Sequence, residues 1–397
     1  EQIKQMSDNW NNFLSNNGAS FNQQQEVLFN QSIPHLNEEL LLTDLSWLGL
    51  IEVRGDDRQT FLQGQLTNDI NAVSSSLSQL SGYCTPKGRM RALFNIFSRQ
   101  TEDDSRLYLQ LPLDLLQANL KRLQMFVMMS KVEIKDVSAE LIRIGIAGTQ
   151  AVKYLQQQGL SIPEDVNGIT QTDDVTLIRL GGETPRFECV GGLDRIKNLW
   201  ESLAVNAKYL DTRHWKLLDI HAGIPNVYPE TSETFIPQML NLQALNGINF
   251  KKGCYTGQEV VARMQYLGKL KRHMYLAHSN TETVPAVGSQ IYSPGSGSGQ
   301  GDGNIVDAQA ALEGGVDMLV VVTNEAFDSQ QVFLDEAQQT PVSFRELPYS
   351  MESYSFPAGR IWGNNSTSRI DAELVNNITR RSMPFPSPAV GGKPCSS

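Results

Sequence analysis

The sequence contains few cysteines and no long apolar run. Its four cysteines, Cys84, Cys189, Cys254 and Cys395, lie far apart and form no CxxC pair, which argues against a disulfide framework and a zinc knuckle. The longest apolar runs, such as residues 318–322, are much shorter than a membrane span. The N-terminus lacks a basic stretch followed by an apolar one, the pattern of a secretory signal. We therefore expect a cytoplasmic protein without a metal site or membrane segment.

The chain has fewer basic residues than acidic ones. The chain has 397 residues, with 33 Lys and Arg against 43 Asp and Glu, so its formal net charge is −10. This balance excludes a protein that binds nucleic acid through bulk charge, and any polyanionic partner must dock on a local basic patch. Hydrophobic residues make up 40% of the sequence, enough to form a core. At roughly 100–200 residues per domain, the length predicts two or three domains.

Patterning divides the chain into five segments. Residues 1–39 are rich in Asn and Gln and predict a polar N-terminal extension with one weak helix. Alternating strand and helix patterns predict a first α/β lobe at 40–140 and a second at 141–268. Short strand patterns over 269–350 predict a small all-β barrel or sandwich. Residues 351–397 lack apolar periodicity and are interpreted as a disordered or non-native tail.

A basic island occupies residues 250–272, with the sequence FKKGCYTGQEVVARMQYLGKLKR. Six cations accompany a single acid, Glu259, so the local charge is +5 in a chain of −10. The cations are Lys251, Lys252, Arg263, Lys269, Lys271 and Arg272. A solvated basic face is one interpretation of this island, and a docking site for an anionic partner is the other.

Cys254 lies in a turn-like context inside the island. Gly253 and Gly257 bracket it and allow close backbone approach or positive φ. The lysines just upstream favour the thiolate over the thiol. Cys254 is therefore either a reactive thiol or a small buried side chain, the usual role of a free cysteine.

The island carries a recognisable motif. Residues 252–259, KGCYTGQE, match the motif of the YgfZ family of folate-binding proteins linked to tRNA modification. That family is related to the aminomethyltransferase (T-protein) of the glycine cleavage system and includes a mitochondrial factor for iron–sulfur cluster maturation. Further matches lie at GDDR, FLQGQLTND, AGIP, FIPQ, NLQAL and LPYS. The chain resembles the family over about residues 40–350.

The resemblance implies an α+β fold with a three-domain, T-protein-like ring: two α/β lobes, a C-terminal small β-barrel and a folate-sized central cavity. The tryptophans of the family's folate pocket fall on Trp47 and Trp215. A pterin is a flat π system that stacks on an indole face, whereas without the resemblance both would be ordinary core residues. In the motif, the resemblance implies a reactive thiol at Cys254. Its supporting residues are Lys252, Gly253, Tyr255, Gly257, Gln258, Glu259 and Arg263.

One departure from the T-protein concerns catalysis. In the T-protein a Gly-Gly turn precedes a pair of aspartates, one of which is implicated in activating the folate nitrogen. The corresponding residues 87–92 read KGRMRA here, with Arg91 and Ala92 at the acid positions. A general acid or base is missing at that place. We therefore expect an accessory protein rather than an aminomethyltransferase.

Three hypotheses for function remain. The first is a monomeric, folate-binding accessory protein for tRNA modification and for assembly or maintenance of iron–sulfur enzymes. Its cofactor is a tetrahydrofolate, and its partners include iron–sulfur enzymes that thiolate tRNA, and tRNA itself. The second is a folate-dependent one-carbon transferase or demethylase. The third is a tRNA-docking module in which the basic island contacts phosphates.

Overall fold

The computed structural model describes residues 2–29, 31, 35–100, 105–128, 130–266, 268–294 and 301–351, with side chains from residue 9 onward. Almost all of the predicted tail lies outside these ranges. The helices are α1 (Gln2–Asn16), α2 (Arg58–Gln63), α3 (Leu113–Gln124), α4 (Ala151–Gln157), α5 (Leu193–Ala204), α6 (Thr212–His221), α7 (Gln258–Tyr266) and α8 (Asn324–Ser329). Short 3₁₀-helices span Ile70–Ala72 and Pro237–Leu240.

In the described residues, the strands form three large sheets and one small hairpin. The strands are β1 (Ser20–Phe21), β2 (Val27–Leu28), β3 (Leu41–Asp44), β4 (Leu48–Arg54), β5 (Gln79–Cys84), β6 (Met90–Gln100), β7 (Ser105–Pro112), β8 (Glu133–Asp136), β9 (Ile142–Ala147), β10 (Ile169–Thr172), β11 (Val175–Leu180), β12 (Arg186–Gly191), β13 (Lys208–Tyr209), β14 (Arg272–Ser279), β15 (Gln290–Ile291), β16 (Gly303–Ala310), β17 (Val316–Thr323), β18 (Val332–Phe333) and β19 (Pro341–Arg345).

The first sheet has the order β5-β6-β7-β4-β8 and is antiparallel throughout. Helix α3 packs on it, because Leu116, Leu120 and Leu123 recur at helical spacing and are buried. Burying one such leucine contributes about 1.5–3 kcal/mol. A tight turn joins β5 to β6, and Gly88 in this turn has a φ of +70°. The turn also carries exposed Lys87.

The second sheet has the order β10-β11-β12-β9-β3-β13. Strand β3 falls within the predicted first lobe, yet it pairs antiparallel with β9, with Leu42 opposite Ile146. Strand β4, only a few residues later, belongs to the first sheet. The short link between β3 and β4 therefore crosses from one sheet to the other, and Trp47 lies on this link. The borders between lobes remain predictions.

The third sheet, β15-β16-β17-β14-β19-β18, closes on itself. A bridge between Tyr292 and Phe333 joins its two edges, so the C-terminal region is the small β-barrel that the resemblance implies. Successive side chains of a strand point to opposite faces. Accordingly, Val320 and Val322 pack inside the barrel, while Leu319 and Val321 pack in the core that includes the first sheet.

The N-terminal segment contributes more to the core than its polar composition predicts. Trp10 and Leu14 of α1 are buried against the second lobe. The Trp10 indole Nε1 donates a hydrogen bond to Asp44 at 2.7 Å, and the Val27 backbone N–H donates to Thr212 Oγ1 at 2.9 Å. Residues 9–29 therefore form a helix and a short hairpin fastened to the second lobe.

Candidate functional site

A cavity between the first and second sheets is lined by both predicted tryptophans. It has about 680 Å³ of space not filled by protein atoms, its open mouth included. Trp47 comes from the link between β3 and β4, and Trp215 from α6. The polar wall residues are Asn95, Gln110, Asn167, Arg186, Glu188, Asp219 and Asn226. The fold thus collects two aromatic rings and a polar wall around one space.

The two tryptophans are held in different ways. The Trp215 ring packs on Gly145 of β9, where an added Cβ would lie 2.7 Å from the ring. Glycine is therefore needed at that position of the strand. The Trp47 indole Nε1 is buried and finds no hydrogen-bond partner among the described residues. The ammonium of Lys216 lies 4.6 Å from the centre of the Trp47 ring, a cation–π contact.

Glu188 lines the cavity, although the sequence analysis does not predict it as a site residue. Its carboxylate is fully buried, and burial raises its pKa to about 7 against the opposing effects of Gln110 and Arg143. Gln110 Nε2 donates to one carboxylate oxygen at 3.1 Å. The other oxygen of Glu188 and the Gln110 amide oxygen have no partner among the described residues. Two buried acceptors in one wall need a donor, since unpaired buried polar atoms cost about 1–3 kcal/mol each.

Arg186 adds a donor to the same wall. Its Nη1 donates to Asp219 at 2.6 Å and its Nε to the Gly181 carbonyl at 2.6 Å. The other terminal nitrogen, Nη2, has no partner in the described part of the chain. Burial raises the pKa of Asp219, and Arg186 opposes that rise. Arg186 and Glu188 lie two apart in β12, so they face the same way. This i, i+2 pair of charges in a strand was the available sequence signal.

Trp47 also borders a second cavity, of about 760 Å³. Lys216 lies in its wall, ion-paired with Glu26 at 2.5 Å and 5.1 Å from the Tyr228 ring centre. Among the described wall residues, four acids accompany this lysine: Glu26, Asp114, Glu230 and Asp307. This excess of negative charge does not suit an anionic ligand.

The motif forms a surface loop followed by α7. Gly257 has a φ of +84°, and a Cβ there would lie 2.4 Å from the Thr85 carbonyl oxygen. Gly88 approaches from the other side, since its Cβ would lie 2.9 Å from the Cβ of Val260. Any larger residue at Gly257 or at Gly88 would clash, so both positions require glycine. The motif loop is thereby fastened to the turn between β5 and β6.

Gly253 does not have the role predicted for it. Its φ lies outside the left-handed region, and an added Cβ would meet no atom of the described residues within 4 Å. The prediction of close approach or positive φ is therefore correct for Gly257 and wrong for Gly253. The difference arises because only the second glycine meets another loop.

Cys254 is exposed, whereas Cys84 and Cys189 are buried. Lys252 does not reach into solvent. Its ammonium donates to the carbonyls of Gln63 and Leu66, at 2.8 and 2.5 Å. Burial lowers the pKa of Lys252 to about 8. Lys252 therefore fastens the loop to the end of α2, and the thiol remains open to reagents and partners.

The other motif residues divide between support and surface. Tyr255 and Gln258 are buried, and the Tyr255 ring lies 5.0 Å from the Lys252 ammonium. Burial raises the pKa of Tyr255. Glu259 and Arg263 are exposed on α7. Gln238, from the 3₁₀-helix Pro237–Leu240, donates a buried hydrogen bond to the Val261 carbonyl at 2.6 Å and so supports α7.

The cavity and the motif loop are separate sites. None of the described wall residues of the first cavity belongs to residues 252–259. At the position of the missing acid pair, Arg91 is ion-paired with Glu233 at 2.9 Å, and Ala92 is buried in β6. The tryptophans and the thiol, predicted together as site residues, are thus not brought together.

The described residues contain no group of three or more His, Cys, Asp or Glu side chains arranged to hold a metal ion. Among those same residues, no helix combines the length and apolar character needed to cross a membrane.

Comparison with solved structures supports the fold. The chain superposes on the glycine cleavage system aminomethyltransferase T from Bartonella henselae with a TM-score of 0.66, covering 85% of this chain and 96% of that one at 16% identity. At this identity the likeness concerns the fold alone, which is three-domain and T-protein-like. A scan against models of protein families finds no match.

Comparison with curated sequences gives the family. The chain is 35% identical over 313 residues to the tRNA-modifying protein YgfZ of Yersinia pseudotuberculosis, covering 79% of this chain and 93% of that protein. It is 36% identical over 258 residues to the tRNA-modifying protein YgfZ of Colwellia psychrerythraea, covering 64% of this chain and 78% of the relative. With the motif at residues 252–259 on its surface loop, the chain belongs to the YgfZ family.

Proposed function

We propose that the protein binds a reduced folate in the cavity between the two sheets and supports tRNA modification by iron–sulfur enzymes in the cytoplasm. The observation that carries this proposal is the wall in which Trp47, Trp215 and Glu188 line one space. The relatives named tRNA-modifying protein YgfZ support a role in tRNA modification.

The wall fits a pterin. A pterin ring offers N–H donors along one edge and a carbonyl acceptor, on a flat aromatic body. Within the described part of the chain, Glu188 and Gln110 each present a buried acceptor without a partner, and Arg186 presents a donor without one. Donors on the ligand edge would satisfy the first two, and the ligand carbonyl would accept from the third. The indole rings supply apolar contact to the ring faces.

The pKa of Glu188 strengthens this assignment. Burial alone penalises the ionised carboxylate, yet a ligand that donates a hydrogen bond to its second oxygen would favour that form. Folate binding would therefore draw a proton from Glu188 near neutral pH. The wall residues bind and orient the ligand and exclude water from it.

Cys254 carries the second part of the proposal. Its thiol is exposed on a loop fastened by Gly257, Gly88 and Lys252. An accessible thiol is the chemical requirement for contact with sulfur, iron or another thiol. Cys254→Ser should keep folate binding, because the cavity wall does not include the sulfur. It should lose support of tRNA thiolation in cells that lack the native protein.

A second candidate function is folate-dependent one-carbon transfer, favoured by the same Glu188. A buried carboxyl with a pKa of about 7 is suited to general acid–base catalysis near neutral pH. Arg91 and Ala92 at the acid positions oppose this candidate. Formation of methylene-folate or formaldehyde from folate and a methylated amine would favour it, and its absence with intact folate binding would leave the accessory role.

Titration with tetrahydrofolate, followed by tryptophan fluorescence, tests the proposal. The native protein should show saturable quenching, and Glu188→Leu should abolish or strongly weaken it without unfolding the chain. Thr176→Ala, a buried change in the same sheet but outside the wall, is the matched control. Quenching that persists unchanged in the Glu188 variant would contradict the cavity assignment.

A further inference from the structure

The second cavity, which Trp47 also borders, has a chemistry that the proposed function does not use. We propose that it binds a diamine carrying an oxygen acceptor, which is the chemistry of a basic amino acid such as lysine or ornithine. The ammonium groups would pair with acids of the wall, and the oxygen would accept from the Trp47 indole N–H. This site goes beyond the proposed function, because it does not depend on folate.

The lysine in the described wall shows that an ammonium group fits this cavity. The Lys216 ammonium is ion-paired with Glu26 at 2.5 Å. It lies 4.6 Å from the centre of the Trp47 ring and 5.1 Å from that of the Tyr228 ring. The wall therefore already holds one ammonium between a carboxylate and two aromatic rings. Because Glu26 neutralises it, Lys216 does not compensate the other acids.

Three acids of the wall have no basic partner among the described residues. Asp114 and Glu230 are exposed. Asp307 is buried, and its carboxylate accepts from the Tyr228 hydroxyl at 2.6 Å and from the Ala308 N–H at 2.9 Å. Both of these donors are neutral, so three carboxylates face the cavity without a counter-charge. Carboxylates in such surroundings attract cations, and three of them suit a ligand with more than one ammonium group.

The surroundings of Asp307 strengthen this argument. Burial raises its pKa to about 6, although Lys216 and Tyr228 oppose the rise. A buried carboxylate is stable in its ionised form only when it is paired or well hydrogen-bonded. A ligand ammonium in the cavity would therefore stabilise the ionised form of Asp307.

The wall favours an organic cation over a metal ion. Within the described part of the chain, no three His, Cys, Asp or Glu side chains are arranged to hold a metal. Apolar side chains stand among the acids instead, namely Pro112, Leu113, Ala286 and Val287. Methylene chains between ammonium groups pack well on such side chains.

A separate feature of the wall is a hydrogen-bond donor without an acceptor. Trp47 is only 4% exposed, and its indole Nε1 has no partner among the described residues. A buried N–H without an acceptor destabilises the protein. A fully protonated alkyl diamine has no acceptor, whereas a carboxylate or hydroxyl oxygen does. The ligand should therefore carry oxygen as well as nitrogen. The folate proposal uses the faces of the Trp47 ring and leaves this N–H to the second cavity.

Isothermal titration calorimetry of the full chain with L-lysine and two analogues tests the ligand chemistry. Cadaverine lacks the carboxylate of lysine, and ε-aminocaproate lacks its α-ammonium. Lysine should bind saturably, and each analogue should bind about tenfold more weakly, because each lacks one charged hydrogen-bonding group. Trp47→Phe keeps an aromatic face and removes the N–H. It should weaken lysine to about the affinity of cadaverine and leave cadaverine unchanged.

A double variant tests the acids. Asp114→Asn combined with Glu230→Gln should weaken lysine about tenfold, since each exposed charge contributes modestly and the two effects add. Both side chains are exposed, so the fold should be kept. Glu201→Gln, an exposed acid on α5 outside the described wall, is the matched control and should change nothing.

Four outcomes would overturn the inference. The first is no saturation by lysine at about 10 mM, above the usual range of substrate levels. The second is equal affinity for lysine and cadaverine, and the third is an equal loss in the Glu201 variant. The fourth is competition by MgCl₂ as effective as competition by lysine, which would indicate general attraction of cations.

Tetrahydrofolate titration separates this inference from the proposed function. The double variant should bind folate unchanged, because neither acid belongs to the described wall of the first cavity. A native protein that binds folate but not lysine would refute this inference alone. A native protein that binds lysine but not folate would refute the proposed function alone.

Discussion

The cavity and the motif loop differ in how their residues are distributed along the chain and in their exposure to water. The cavity wall draws on residues between Trp47 and Asn226, from two sheets and one helix, and most of them are buried. The motif is eight consecutive residues in a surface loop and the start of α7, of which Gly253, Cys254 and Glu259 are exposed. Burial gives the cavity a shifted carboxyl pKa and acceptors that find no partner among the described residues, whereas exposure gives the loop an accessible thiol. Binding chemistry and thiol chemistry should therefore be separable by mutation.

The sharpest contrast concerns the cysteines. Iodoacetamide at neutral pH should label Cys254 at least about 10³-fold faster than Cys84 or Cys189, because buried thiols react only when the structure opens. Burial also raises the pKa of Cys84 to about 12 and raises that of Cys189. Mass spectrometry of tryptic peptides checks the rates, in a Cys395→Ser background that removes the fourth thiol. In urea, all three cysteines should react alike. Comparable rates in the native protein would mean that Cys254 is covered.

The two glycines beside Cys254 test the geometry of the loop. Gly257→Ala should lower the free energy of unfolding by about 1–3 kcal/mol, since the residue has positive φ and its Cβ would press on the Thr85 carbonyl. Gly253→Ala, the matched control, should change it by less than about 0.5 kcal/mol. Urea denaturation measures both. Equal effects would show that the loop is not held at the turn between β5 and β6.

The tryptophans test the cavity. Trp47→Ala and Trp215→Ala should each weaken folate binding by about 1–3 kcal/mol, by analogy with base stacking on aromatic side chains. Trp200→Phe is the control, because Trp200 is buried in the second lobe away from the cavity wall. It should affect stability and not affinity. Isothermal titration calorimetry separates the two effects. Unchanged affinity in both alanine variants, with the fold intact, would remove the site from this cavity.

The smallest expected effect is a pH dependence. If the ionised form of Glu188 accepts from the ligand, affinity is present above its pKa of about 7 and is lost as the pH falls through it. Folate should then bind about tenfold more tightly at pH 8 than at pH 6. Glu188→Gln should flatten this profile, while Glu259→Gln, an exposed control on the motif, should leave it unchanged. A profile that rises toward low pH would mean that the protonated carboxyl binds the ligand.

Local periodicity predicts most elements of the second lobe and the barrel. The apolar spacing of residues 193–203 predicts a helix, and α5 spans Leu193–Ala204. The strand pattern at residues 316–323 matches β17. The pattern at residues 40–53 predicts two short strands, which are β3 and β4, but places both in the first lobe. Pairing of β3 with β9 is a long-range event that no local pattern records.

The N-terminal segment illustrates the same limit. Its Asn and Gln content predicts a polar extension. Its few apolar residues hardly change the average composition of the segment. Trp10 and Leu14 nonetheless fill the core of the second lobe. A single buried tryptophan with a satisfied indole N–H can anchor a polar segment, because the free energy comes from area buried rather than from average hydropathy.

By itself, the sequence determined the family, most strands of the C-terminal region, the motif and the departure at Arg91 and Ala92, because these depend on residue order over short spans. Only the tertiary structure decided that Trp47 lies on a crossing between sheets and that Glu188 is a buried carboxylate lining the same cavity. It also decided that Lys87 stands beside α7. These three features depend on contacts between distant segments, where burial and close packing set pKa and charge density, and no local pattern encodes them.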